Sequence, residues 1–145
     1  MMNRFLLWMV LFVAAFEAVA TDAVEFDYMM NCQGCHLPDG AGFPAHNVPA
    51  VVGNLGNFLG VDGGREFLVQ VPGSAQSDLD DERLAAVLNW MLVSFSAEQL
   101  PADWQHYSAA EVHELRKTPL IEVMPLRAAL MDLIEVKQQT GGAGR

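Results

Sequence analysis

The hydrophobic positions of this chain change their spacing from one stretch to the next, and each spacing predicts a different element. Phe5 to Phe16 is an unbroken apolar run, preceded by Arg4, ended by Glu17 and followed by the small-x-small triplet Ala18-Val19-Ala20. A run of about 12 residues falls short of the roughly 20 that a spanning helix needs, so residues 1–20 are expected to be a secretory signal peptide cleaved after Ala20. No stable membrane span is expected after cleavage. Val24, Phe26 and Met29 then suit a short helix within residues 22–30. From Leu37 to Gly64 glycine and proline are frequent and no helical period is sustained, which predicts a long loop wrapped around something rigid. Residues 64–71 read as a short helix or turn stopped by Pro72-Gly73.

The strongest helical pattern follows. Leu84, Val87, Leu88, Met91, Leu92 and Phe95 recur at three- and four-residue spacing behind the acids Asp80 to Glu82, which predicts a helix from Asp80 to about Phe95 with one buried face. Ser108-Ala109-Ala110-Glu111 is a capping box for a helix running to about Lys117 and stopped at Thr118-Pro119. Leu126, Leu130, Leu133 and Ile134 predict a last amphipathic helix beginning near Pro125. The organisation expected is all-α: a core domain over residues 21–97, a helical C-terminal extension over 98–138 and a disordered tail over 139–145.

Charge narrows the partners. The chain has 18 acidic and 8 basic residues, and removing Glu17 and Arg4 with the signal leaves the net charge near −10. Nucleic acid and anionic membrane surfaces are therefore poor partners, whereas a protein with a basic docking patch is a good one. Nothing in the sequence resembles a hydrolytic triad, a phosphate-binding loop or a nicotinamide fold.

The chemistry concentrates at Cys32-Gln33-Gly34-Cys35-His36, the C-x-x-C-H signature of covalent haem attachment. Thiols separated by two residues reach the two vinyl groups on one porphyrin edge, and the adjacent imidazole is carried beneath the ring to bind iron. A structural zinc site wants four ligands, and the chain has no second cysteine pair, although His46 or His106 could contribute. A thioredoxin-like redox pair wants a βαβ setting, and a plain disulfide leaves His36 without a role. One covalent haem c on Cys32, Cys35 and His36 explains the most.

With that motif in place, the stretch from about Glu25 to Phe95 resembles the small class I cytochromes c. The likeness is carried by the helix entering Cys32-Gln33-Gly34-Cys35-His36, then Pro38-Asp39-Gly40-Ala41-Gly42, Pro49-Ala50-Val51-Val52-Gly53, Gly63-Gly64-Arg65-Glu66-Phe67-Leu68 and Leu84-Ala85-Ala86-Val87-Leu88-Asn89-Trp90. It implies a small helical domain wrapped around one haem, with the first and last helices of that domain crossing near the haem edge and Trp90 as the aromatic residue of the last. It also implies that the Pro49 carbonyl accepts a hydrogen bond from His36 Nδ1–H, and that Gly53 allows close backbone approach to the porphyrin. Arg65 is the cation expected to pair with a haem propionate.

The likeness fails at the second axial ligand. Members of the family usually take a methionine from the loop before the last helix, and here residues 71–79 contain neither methionine nor histidine. Met124 of the extension is a candidate. Met91 reads as core, Met29 and Met30 stand too close to the motif, and His46, His106 and His113 read as surface groups. The function expected is a periplasmic electron carrier, not an enzyme, passing single electrons between a dehydrogenase and the respiratory chain. The alternative is a high-spin haem protein that binds NO, CO or O2 at an open distal site.

Overall fold

The computed structural model describes residues 23–142, so the expected signal peptide lies outside the described residues. It is helical throughout, with one isolated bridge between Phe43 and Val48 in place of any strand among the described residues. Helix α1 covers residues 23–31, and α2 (Gln33–His36) follows almost without a break. Cys32 N–H donates to the Tyr28 carbonyl at 2.8 Å, and His36 N–H to the Cys32 carbonyl at 3.0 Å. Beyond the loop come α3 (Leu55–Phe58), α4 (Gly64–Gln70), α5 (Pro72–Ala75) and the long α6 (Asp81–Ser96). The extension adds α7 (Ala109–Leu115) and α8 (Val123–Gly142).

Helix α6 is the spine of the core. Its N-cap Asp80 accepts a bond from Arg83 N–H, and Leu84, Val87, Leu88, Met91 and Leu92 are all buried along the predicted face. Helix α1 crosses it through aromatic rings: Tyr28 lies 5.1 Å from Trp90 and 5.2 Å from Phe95. The buried carboxylate of Asp27 on α1 pairs with Arg83 on α6, with Arg83 Nε 2.9 Å from Oδ2. At the other end of α6, Ser96 Oγ accepts from Gly56 N–H at 2.8 Å, and the Phe95 carbonyl accepts from Gly53 N–H at 2.7 Å, which ties α3 to the spine.

Glycine 64 shows how tightly α4 is inserted. A Cβ there would stand 2.0 Å from the Phe58 carbonyl oxygen, so only glycine lets α3 and α4 approach and stack Phe58 on Phe67 at 5.3 Å.

The long loop contains more helix than its composition predicts: a 3-10 turn at Pro44–His46 and the single turn α3. One turn is too short to express a period, and Pro72, read as a stop, also starts α5, because proline is tolerated in a first helical turn. The same physics moves the start of α8 two residues ahead of Pro125, to Val123. Residues 139–142, expected in the tail, continue α8 instead. Gln139 bonds Glu135 at 3.0 Å and Thr140 Oγ1 bonds the Val136 carbonyl at 3.0 Å, so local side-chain bonds prolong the helix past its apolar stripe. The extension packs on the domain: Tyr107, Val112, Leu130 and Ile134 are buried in the common core.

Candidate haem-binding site

An apolar cavity of about 280 Å3 lies between the cysteine motif and the start of α8. Cys32, Cys35 and His36 stand on its wall, and Phe58, Phe67, Leu68, Leu84 and Leu88 supply much of the greasy lining. Both thiols are free; Cys32 is half-buried and Cys35 exposed. Burial, with Asp27 and Cys35 nearby, pushes the Cys32 thiol up to about 11.

The local chain explains why the motif faces inward. Tyr28 O–H donates to the Leu37 carbonyl at 2.6 Å, and Leu37 itself holds φ 64, so the chain turns sharply as soon as His36 has been placed. Burial, with Cys32 and Asp39 close, pushes the Tyr28 hydroxyl up to about 12 and keeps it a donor. Gly42, at φ 69, takes its N–H to the His36 carbonyl at 3.1 Å. A Cβ on it would meet the Pro49 carbonyl oxygen at 2.5 Å, so the glycine lets the Pro49 segment lie against the chain that leaves α2.

His36 carries the informative defect. Its Nδ1 is buried and makes no hydrogen bond of good geometry. Burial lowers its pKa and the Pro49 carbonyl acts in the opposite direction, but the bond expected from Nδ1–H to that carbonyl is not formed with good geometry. An unprotonated imidazole in apolar surroundings, its Nδ1 withdrawn from water and a backbone carbonyl lining the same cavity, suits an iron-ligating histidine. Among the described residues no three His, Cys, Asp or Glu side chains form a metal-binding cluster, so the zinc alternative lacks its ligand set. The residues present fit a haem: two free thiols beside an imidazole, at the edge of an apolar cavity.

Other expected site residues fall in different places. Pro49 lines the cavity, and so does Met124. Trp90 packs between the first and last helices of the domain, 5.3 Å from Phe95. Gly53, at φ 68, serves the turn that meets the end of α6, and a Cβ on it would meet nothing within 4 Å. Arg65, expected to pair with a haem propionate, does not line the cavity and is instead engaged by the extension: its guanidinium bonds Glu111 at 2.5 and 2.8 Å and the Gln105 carbonyl at 2.7 Å, and lies 4.0 Å above the Tyr107 ring. Met91 and Arg127 also line the cavity. Arg127 escaped the sequence reading because only the fold of α8 brings it there; its placement one turn after Met124 was the available signal.

No family model matches the chain, and no solved structure does. Two curated proteins are similar to it, both named cytochrome c-552 and both from Thermus thermophilus, the second from a particular strain of that species. Each is 30% identical over 107 aligned residues, which cover 61% of this chain and 81% and 72% of the respective relatives. With this likeness added to the free thiols, the half-buried imidazole beside them and the apolar cavity, the chain belongs to the class I c-type cytochromes, proteins that carry one covalently bound haem c.

Proposed function

We propose that the protein is a periplasmic one-electron carrier that moves electrons between a dehydrogenase and the respiratory chain. The observation that carries this reading is the apolar cavity lined by Cys32, Cys35 and His36, whose Nδ1 is buried. When bound, the haem supplies an iron that cycles between two oxidation states. The thiols of Cys32 and Cys35 would hold it by thioether bonds, and His36 would present Nε2 to the iron while the Pro49 carbonyl keeps the proton on Nδ1. The apolar lining excludes water and so limits the reorganisation that accompanies a change of charge. None of these residues needs to move a proton to substrate, in keeping with a carrier rather than an enzyme.

The formal charge of −10 would steer the protein to a basic patch around a partner's redox centre, and docking should weaken as salt rises. Export is expected from residues 1–20, and among the described residues no helix is long and apolar enough to cross a membrane.

The test is direct. Protein matured in cells that attach haem c should be coloured, heavier than the polypeptide by one haem, and reversibly reduced by one electron. Colourless protein at the bare polypeptide mass ends the proposal. The gas-binding reading is favoured by one feature: Gly73, Ser74 and Ser77, which line the cavity from residues 71–79, offer no sulfur or imidazole to iron. Prompt CO binding by the reduced wild-type protein would select it.

A further inference from the structure

We infer that the first turn of α8 is the distal wall of the haem pocket, where the Met124 thioether is the second axial ligand and the Arg127 guanidinium holds a haem carboxylate. The inference rests on the haem reading above and adds residues that reading leaves unassigned.

The methionines divide cleanly. Met29 and Met30 do not reach the cavity, Met131 packs against the core, and among the described residues only Met91 and Met124 line the cavity. Met91 is 6% exposed in the middle of α6. There it packs with Leu88 and Leu92, and drawing its sulfur out to a metal would leave a void in the core. Met124 is 58% exposed yet still lines the cavity. A flexible, largely exposed thioether that lines the same apolar cavity as an imidazole can turn toward an iron without emptying the core.

The basic residues make a second, separate argument. Six of them lie among the described residues, and five have partners there. Arg65 bonds Glu111, Arg83 bonds Asp27, Lys117 bonds Glu114, Arg116 bonds Asp81 and several carbonyls, and Lys137 bonds the Gly60 carbonyl. Arg127 alone has neither an ion pair nor a hydrogen bond among the described residues, and it is half-buried at the cavity wall. A guanidinium partly withdrawn from water without a counterion is costly, and a bound carboxylate removes that cost. Met124 and Arg127 are three residues apart on one helix, so they share a face and reach the same mouth of the cavity.

The turn is held in place. Leu120 N–H donates to the Gln70 carbonyl at 2.8 Å just before α8, Leu130 and Ile134 are buried, and Lys137 reaches the Gly60 carbonyl at 2.5 Å. The wall is therefore part of the folded domain.

The test uses the full haem-bearing protein with Met124→Leu, Met91→Leu, Arg127→Gln and Arg65→Gln. The oxidised wild type should show the weak far-red band of an iron–thioether bond. Met124→Leu should lose it, and its reduced form should then bind CO; Met91→Leu should keep the band. Arg127→Gln should lower the reduction potential, because a nearby cation favours the reduced iron, while Arg65→Gln leaves it in place. A band that survives Met124→Leu, or disappears with Met91→Leu, overturns the ligand assignment. A potential that follows Arg65 rather than Arg127 overturns the carboxylate assignment. Wild-type protein without haem would overturn the underlying reading as well, which separates the two failures.

Discussion

The cluster around Arg65 shows what a single side chain does when burial removes competing water. Its guanidinium satisfies two carbonyls and a carboxylate while covering Tyr107, whose own hydroxyl donates to the Arg65 carbonyl at 2.8 Å. Arg65→Ala should cost on the order of 2 kcal/mol in denaturant unfolding, since it strands a partly buried carboxylate and several acceptors. The pH dependence has a definite sign. The bond from Arg65 holds the Glu111 carboxyl below the ordinary glutamate value of 4.5. Its contribution is therefore complete above that value and is lost as pH falls through the lower folded one. Glu111→Gln should flatten this part of the acid limb of stability, and a stability titration from neutral pH down through the acid transition would check it. The thiols give another residue-scale outcome. In protein lacking haem, Cys35 is exposed while the half-buried Cys32 thiol is pushed up to about 11. Alkylation at neutral pH followed by peptide mapping should label Cys35 first.

At the scale of elements, caps and anchors decide where helices begin and stay. Ser108 accepts from Glu111 N–H as the capping box predicts, but the Glu111 carboxylate turns outward to Arg65 instead of closing the box. Ser108→Ala should then cost about 1 kcal/mol, the value of one cap, measured by thermal or chemical unfolding. Helix α8 depends on burial more than on capping. Leu130 is 2% exposed, so Leu130→Ala should cost about 3 kcal/mol and also loosen the turn that carries Met124 and Arg127. Both effects are visible in one preparation: a lower unfolding midpoint and, in the haem-bearing protein, a weaker far-red band.

For the molecule as a whole, the extension is inseparable from the domain it follows. Tyr107 N–H and its carbonyl form a pair of hydrogen bonds with the Asn89 side chain at 2.8 and 3.0 Å, and Arg116 ties α7 to the carbonyls of Ala75, Ser77 and Leu79. Truncation after residue 97 should therefore give aggregated or poorly folded protein, assayed by loss of a cooperative melt. Asn89 illustrates why this was hard to foresee: on the helix pattern it is a surface position, and only the return of residue 107 gives it a role.

The chain alone determined the haem motif, the spine α6 and the all-helical class, because each is written in local spacing: two thiols and an imidazole within five residues, an apolar stripe of helical period, caps at fixed offsets. It also showed that residues 71–79 lack a ligand. What replaces that ligand, and which cation faces the cavity, depended on contacts between residues far apart in the chain. Arg65 was claimed by Glu111, 46 residues away, and Arg127 was left without a partner among the described residues at the cavity wall. Periodicity reports which face of a helix is buried; which partner it meets is decided only when the helices pack.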